Sequence, residues 1–416
     1  MKPIIIAGAG PVGLTLALLL NQQGKSVLVL EAVDEIQPLG VGINLLPHSV
    51  RVLCGLGLEP KLDEIAIRTS ALHYYNKLGQ QIWAEPRGLN AGYHFPQFSI
   101  HRGELQMMLL REARFKLGEE QVRTGYKLDS WKDTADGIEA TFEKTNGERE
   151  VIEGACLIAA DGIKSTARKT LYPDEGSPIY GGRILWRGVT IDKPFLDGST
   201  MFMAGHQDCK FVAYPLMPVG EDKVLINWIA ELSVPDYVQN EQDWNKEVSI
   251  DVFRPSFEDW DFGWVNVPSI IDNCEHVYEF PLSDRDPLPQ WTFGNMTLIG
   301  DAAHPMYPIG SNGASQGILD AEKLADEFAK GDDLTTTFAN YEKERRPATA
   351  NIVLLNRKNG PEQVMQMAEE RSPDGFDHIH DVIPQAELEE VAARYKQTAG
   401  FNIEAVNKDA KETQPS

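Results

Sequence analysis

Residues 3–13 read Pro-Ile-Ile-Ile-Ala-Gly-Ala-Gly-Pro-Val-Gly, and this run decides the fold. Residues 3–7 are continuously apolar, the pattern of a strand buried on both faces of a parallel sheet. Gly8 to Gly13 makes a tight turn, and residues 11–23 follow as a helix, with Pro11 in its first turn and Gly24 just past its end. Residues 26–30 (Ser-Val-Leu-Val-Leu) form a second apolar strand ending on Glu31, which completes a βαβ unit. The turn residues have separate jobs. Gly8 allows the turn, Gly10 leaves no side chain to block a phosphate, and Gly13, after Val12, lets the helix pack on the strand. Glu31 lies 18 residues after Gly13, where a carboxylate accepts both hydroxyls of a ribose. The unit therefore reads as a dinucleotide site, and the acid disfavours a 2′-phosphate: FAD or NAD rather than NADP.

A second motif narrows the choice. Residues 296–300 form another buried strand, which delivers Asp301 to the carboxyl end of the sheet, where ligands of α/β sheets bind. Gly310, Asn312, Gly313 and Ala314 then lead into a helix over 313–330, a second N-terminus with free N–H groups. NAD needs no such second site, whereas a ribityl chain and a flavin ring do, so the pair selects FAD. A third motif, Asp161-Gly162, follows an apolar strand at 155–160 and is read with Ser165 and Arg168.

These three motifs, in this order, resemble the group A FAD-dependent aromatic monooxygenases, the para-hydroxybenzoate hydroxylase-like family, over residues 3 to about 350. Gly40–Asn44, Ser99–Met107, Trp186–Val189 and Asp284–Pro289 are similar to the phenazine-1-carboxylate-type members. The resemblance implies that Gly8, Gly10, Gly13 and Glu31 hold the ADP half of FAD, and that Arg102 contacts the ribityl–pyrophosphate region. It sets the main chain of Leu128 near the adenine and links Asp161 and Gly162 to FAD and the reduced nicotinamide. It gives Asp301 the ribityl chain and brings Gly42, Ile43, Gly310, Asn312, Gly313 and Ala314 to the isoalloxazine, with Pro308 on the substrate side. The implied reaction consumes NADH or NADPH and O2 and hydroxylates an aromatic ring by way of a flavin hydroperoxide, with loss of CO2 where the attacked carbon carries a carboxylate. Two alternatives keep the fold: a monooxygenase that inactivates a polycyclic antibiotic such as tetracycline, and an O2-independent flavin reductase.

Away from the motifs, the expected fold class is α/β: a Rossmann-like FAD-binding domain interleaved with an antiparallel-sheet substrate domain, then a helical C-terminal region. The FAD-binding part comprises 1–70, 98–178 and 282–345, the substrate part 71–97 and 179–281, and the C-terminal helices and polar tail 346–416. Residues 70–85 read as a hairpin, 103–117 as an amphipathic helix and 126–153 as a β-meander. Strand-like runs at 183–192, 199–205, 210–216 and 223–231 are dense in aromatics; 241–273 reads as mostly helical. Trp186, Met203, Phe211 and Tyr214 are candidates for an aromatic pocket, with plain sheet core as the alternative. His48 is a candidate substrate base or a capping histidine, and Arg187 a partner for a substrate carboxylate or for an internal acid.

The 416 residues carry 39 Lys and Arg against 62 Asp and Glu, a formal net charge of −23. That balance argues against the phosphate backbone of nucleic acids and against anionic membrane surfaces, which require clustered basic groups. The apolar start is broken by Gly8, Gly10, Pro11 and Gly13, so it reads as strand and turn rather than a signal peptide. A cytoplasmic protein with a small aromatic substrate and O2 as partners is expected. Cys54, Cys156, Cys209 and Cys274 show no C-x-x-C spacing and fit unpaired thiols in a reducing compartment. No metal site is expected, His304 beside Asp301 being read as support for the flavin loop.

Overall fold

The computed structural model describes residues 2–38, 40–237 and 246–412. The apolar strand Ile4–Ala7 lies inside a six-stranded sheet, flanked in parallel by Val27–Glu31 and Cys156–Ala159. Val122–Thr124 extends one side, Met296–Leu298 the other, and the short antiparallel strand Thr292–Phe293 closes the edge. The register sets Ala7 level with Leu30 and Ala159, and Ala159 level with Leu298. All three sequence motifs, together with Glu31, therefore leave the sheet at one carboxyl edge. Helices Pro11–Gln22, Arg102–Leu117 and Gly313–Lys330 pack together over this sheet. Arg102–Leu117 buries Leu105, Met108, Leu109 and Ala113, as its periodicity predicts. The meander over Tyr126–Thr134, Gly137–Lys144 and Arg149–Gly154 forms its own three-stranded sheet.

The second large sheet has eight strands, in the order Lys246–Glu247, Tyr278–Asp284, Ile179–Asp192, Lys223–Ser233, Cys209–Val219, Met201–His206, Ala71–Tyr75, Gln81–Pro86. It is antiparallel except where Met201–His206 runs parallel to Ala71–Tyr75. Chain from 71–86 and 179–284 thus builds one sheet, and the nucleotide sheet is assembled from what lies between and around them. The strand Tyr278–Asp284 spans the expected boundary at 281, because Ser283 and Asp284 still pair with Tyr180 and Ile179. A third, three-stranded sheet of Gly42–Leu45, Phe98–His101 and Ala66–Arg68 joins the two halves.

The eight-stranded sheet has unlike faces. One is packed with aromatics: Trp186 stacks on Phe253 at 5.0 Å, Phe211 on Trp228 at 5.9 Å, and Phe257 meets Phe211 edge-on. The segment bearing Phe253, Phe257 and Trp260 is not the expected long helix. It consists of two 3-10 turns, Ile250–Val252 and Arg254–Phe257, and the six-residue helix Val267–Asp272, while 241–245 lie outside the described residues. The i, i+4, i+7 aromatic spacing imitates a helix, but Pro255 and Gly263 interrupt the ladder, and the rings are spaced by the sheet they cover. The other face is aliphatic, with Leu72, Leu185, Met203, Val212 and Ile229, and is roofed in part by the helices Gln363–Arg371 and Gln385–Thr398. The helix expected at 335–346 runs on to Asn356, through Pro347.

Candidate functional site

A cavity of about 300 Å³ lies between the carboxyl edge of the nucleotide sheet and the aliphatic face of the eight-stranded sheet. Its nucleotide end is built from backbone. A Cβ on Gly8 would fall 2.3 Å from the Ala160 carbonyl oxygen, and one on Gly13 would fall 2.2 Å from that of Gly8. Both glycines are therefore packing requirements; the φ of Gly8, +113°, adds a conformational one. A Cβ on Gly10 would meet nothing within 4 Å, so its missing side chain opens the cavity at the start of helix Pro11–Gln22. The Glu31 carboxylate lies across this turn and accepts the Ala9 N–H at 2.7 Å and the Val33 N–H at 3.2 Å.

In the middle of the cavity, Gly42, Ile43, Arg102 and Asp301 meet the loop that carries Pro308, Asn312, Gly313 and Ala314. Gly42 is clamped from the sheet side. Its N–H donates to Asn227 Oδ1 at 2.6 Å, while its carbonyl accepts the Tyr214 hydroxyl at 2.7 Å and Arg187 Nη2 at 2.9 Å. Asn312 precedes the helix Gly313–Lys330; its Oδ1 accepts from Gln316, and its buried Nδ2 has no partner. A helix N-terminus at Gly10, a second at Gly313, an exposed Asp301 and an orphaned amide at Asn312 together fit a long, polar-ended, flat-ringed cofactor such as FAD.

The substrate end is a floor of side chains in rows across the sheet. Leu185, Glu231 and Lys210 are cross-strand partners in one row. Arg187, Ile229, Val212 and Met203 form the next, and Asn227 with Tyr214 the third. Arg187 has no carboxylate partner among the described residues: it touches the Gly42 carbonyl and lies 5.7 Å from the Phe280 ring. Burial pulls its pKa down, yet a guanidinium remains charged.

Expected site residues divide by where the strands turn them. Met203 and Tyr214 line the cavity, as do Gly10, Val12 and Gly162. Trp186 and Phe211 do not: alternation sends both to the aromatic face, and their neighbours Leu185, Arg187, Lys210 and Val212 face the cavity instead. His48 is also corrected. It is 2% exposed, packs 5.5 Å from Phe401, and burial lowers its pKa to about 3, so it is a neutral core group away from the cavity. Gly310 (φ +69°) faces Tyr395: a Cβ there would fall 2.0 Å from the Tyr395 hydroxyl, which donates to the Ile309 carbonyl at 3.3 Å. Leu128 sits in the core opposite Phe142. Asp161 turns back to accept the Thr166 and Ala167 N–H groups at 2.7 and 3.2 Å, with burial raising its pKa. Behind the loop, buried Asp320 binds His304 Nε2 at 2.5 Å, Arg345 Nε at 2.7 Å and the Gly300 N–H at 3.1 Å. Arg345 is thus a core residue. Sequence reasoning missed Lys210, Glu231 and Glu362; the first two were detectable as charges within otherwise apolar strands.

Residues 1–355 match the family model of the FAD-binding domain, and the chain belongs to that family. Within it the protein is a group A FAD-dependent aromatic monooxygenase, with NAD(P)H as electron donor. It is 43% identical over 363 residues to phenazine 1,6-dicarboxylic acid hydroxylase of Lysobacter antibioticus, covering 85% of this chain and 89% of that protein. It is 29% identical over 361 residues to 3-hydroxybenzoate 6-hydroxylase 1 of Aquipseudomonas alcaligenes, covering 85% and 87%. In fold it is similar to HpxO of Klebsiella pneumoniae complexed with FAD and uric acid (TM-score 0.69, 21% identity, 99% and 96% covered). It is also similar in fold to tetracycline destructase Tet(51) (TM-score 0.64, 16% identity, 97% and 98% covered). Among the described residues, no helix is long and apolar enough to cross a membrane.

Proposed function

We propose that this monooxygenase hydroxylates a planar heteroaromatic carboxylate of the phenazine class. One oxygen atom of O2 enters the ring and the other leaves as water, with NADH or NADPH supplying the two electrons. The observation that carries this reading is Arg187, a cation without a carboxylate on the edge of a flat aliphatic floor. A substrate carboxylate supplies the missing partner through charge-assisted hydrogen bonds. Leu185, Val212, Ile229 and Met203 exclude water and accept the faces of fused rings. The relative at 43% identity, named for a phenazine diacid, supports the same class.

FAD, when bound, supplies the oxygen-activating chemistry. Gly10, in the turn that Gly8 and Gly13 allow, and Glu31 would hold its ADP half, Arg102 and Asp301 its linker, and Gly42, Ile43, Asn312, Gly313 and Ala314 its ring. The N-terminus of helix Gly313–Lys330 faces the cavity and favours negative charge there.

The test is oxygen-dependent NADH and NADPH oxidation by FAD-loaded protein, with and without phenazine-1-carboxylate, with products read by mass. Stimulated oxygen uptake and a product that has gained oxygen, with or without loss of CO2, is expected. Turnover on a tetracycline alone, or turnover that needs no O2, would overturn the reading.

A further inference from the structure

The row farthest along the floor from Tyr214 carries a buried charge cluster that the hydroxylation chemistry does not use. Lys210, on the strand Cys209–Val219, reaches Glu231 at 2.9 Å and Glu362 at 2.5 Å. Arg183 reaches the other oxygen of Glu231 at 2.8 Å. All four side chains are less than 10% exposed, and Lys210, Glu231 and Glu362 line the cavity. Burial opposes the Lys210 charge, but Glu231 and Glu362 outweigh it and hold its pKa above the ordinary value. Two cations and two carboxylates cancel, so this wall is polar yet carries no net charge.

Arg187 contrasts with it. The registers Arg187↔Ile229, Leu185↔Glu231 and Lys210↔Glu231 set Arg187 and Lys210 two strands and one row apart. Their Cα atoms are therefore roughly 12 Å apart along the diagonal of the floor. One edge of the cavity has an unmatched positive charge; the other, lined by Lys210, Glu231 and Glu362, has charges already matched.

On the phenazine-class reading above, we propose that the Lys210–Glu231–Glu362 cluster is a specificity wall that admits a ring carrying one carboxylate, placed at Arg187, and rejects a ring carrying a second carboxylate at the opposite end. A neutral hydrogen-bonding group meets this wall without penalty, since Lys210 donates and the glutamates accept. A second carboxylate meets Glu231 and Glu362 with no spare cation and loses its hydration.

The experiment is equilibrium titration of the FAD-loaded full chain, by flavin absorbance, with phenazine-1-carboxylate and with phenazine-1,6-dicarboxylate. The expected result is a dissociation constant at least about tenfold lower for the monoacid, and a ratio moved about tenfold toward the diacid by Glu362→Gln, which leaves the wall with one net positive charge. Melting temperature and FAD content of the variant check its fold; if it does not fold, the wild-type ratio decides. Equal or tighter binding of the diacid by the wild-type chain overturns the proposal, as does an unchanged ratio in folded Glu362→Gln. If neither compound binds to FAD-loaded protein, the phenazine reading fails, and this selection with it.

Discussion

The two ends of the cavity are made by opposite means. At the nucleotide end, space exists because side chains are missing: Gly8 and Gly13 bring backbone within contact, and Gly10 leaves a gap. At the substrate end, space exists because strand alternation sends Trp186, Phe211 and Trp228 to the far face and leaves Leu185, Val212 and Ile229 beneath the cavity. The first device is local in the chain and intolerant of any addition. The second is spread over strands far apart in sequence and is open to change at one position at a time.

The largest effect that would break this contrast is at Gly8. Gly8→Ala is expected to abolish folded, FAD-loaded protein, because the methyl group meets the Ala160 carbonyl and φ is positive. Gly10→Ala meets no protein atom, so it should fold normally and lose FAD affinity; flavin content against melting temperature separates the two. If Gly10→Ala holds FAD as the wild type does, the missing side chain is not what makes the space.

The next test uses adjacent residues on opposite faces. Trp228 is fully buried among Phe211 and Phe253, and Trp228→Ala should cost about 3–5 kcal/mol in chemical denaturation. Ile229→Ala trims the cavity floor and should cost about 1–2 kcal/mol while raising KM. Similar losses at both positions would erase the distinction between the faces. Smaller than the Trp228→Ala effect, Arg187→Met should raise KM for a ring carboxylate by roughly 10- to 100-fold, the worth of about 1.5–3 kcal/mol for a charged hydrogen bond, with melting temperature nearly unchanged.

The last test concerns a buried titratable group away from the cavity. His48 is neutral when folded, with its pKa lowered from 6.5 to about 3. Its stabilising contribution is complete above pH 6.5 and is lost as pH falls toward 3, because only the unfolded chain takes up the proton. His48→Gln should flatten the stability profile in that window by at most about 1.4 kcal/mol per pH unit. An unchanged slope would mean that His48 binds its proton in the folded protein too.

The nucleotide end was legible because everything it needs lies within one turn and its flanking strands. For the substrate sheet, the strands could be placed but their faces could not. Trp186 and Met203 both read as aromatic-pocket candidates, and only the pairing register shows that they point opposite ways. The run from Phe253 to Trp260 misled for a related reason: its spacing is set by the sheet beneath, not by a helix. Glu362 lies 152 residues from Lys210, and no local pattern announces such a pair.

The contact of Tyr395 with Ile309 has a consequence for how the enzyme is made. The hydroxyl that braces the loop beside Gly310 is synthesised 86 residues after the carbonyl it holds. A nascent chain can complete its first βαβ unit early, but it cannot close the loop beyond that unit until the helix Gln385–Thr398 has emerged from the ribosome. A chain cut short after residue 355 is therefore expected to keep the turn from Gly8 to Gly13 and to leave the loop beside Gly310 without its brace.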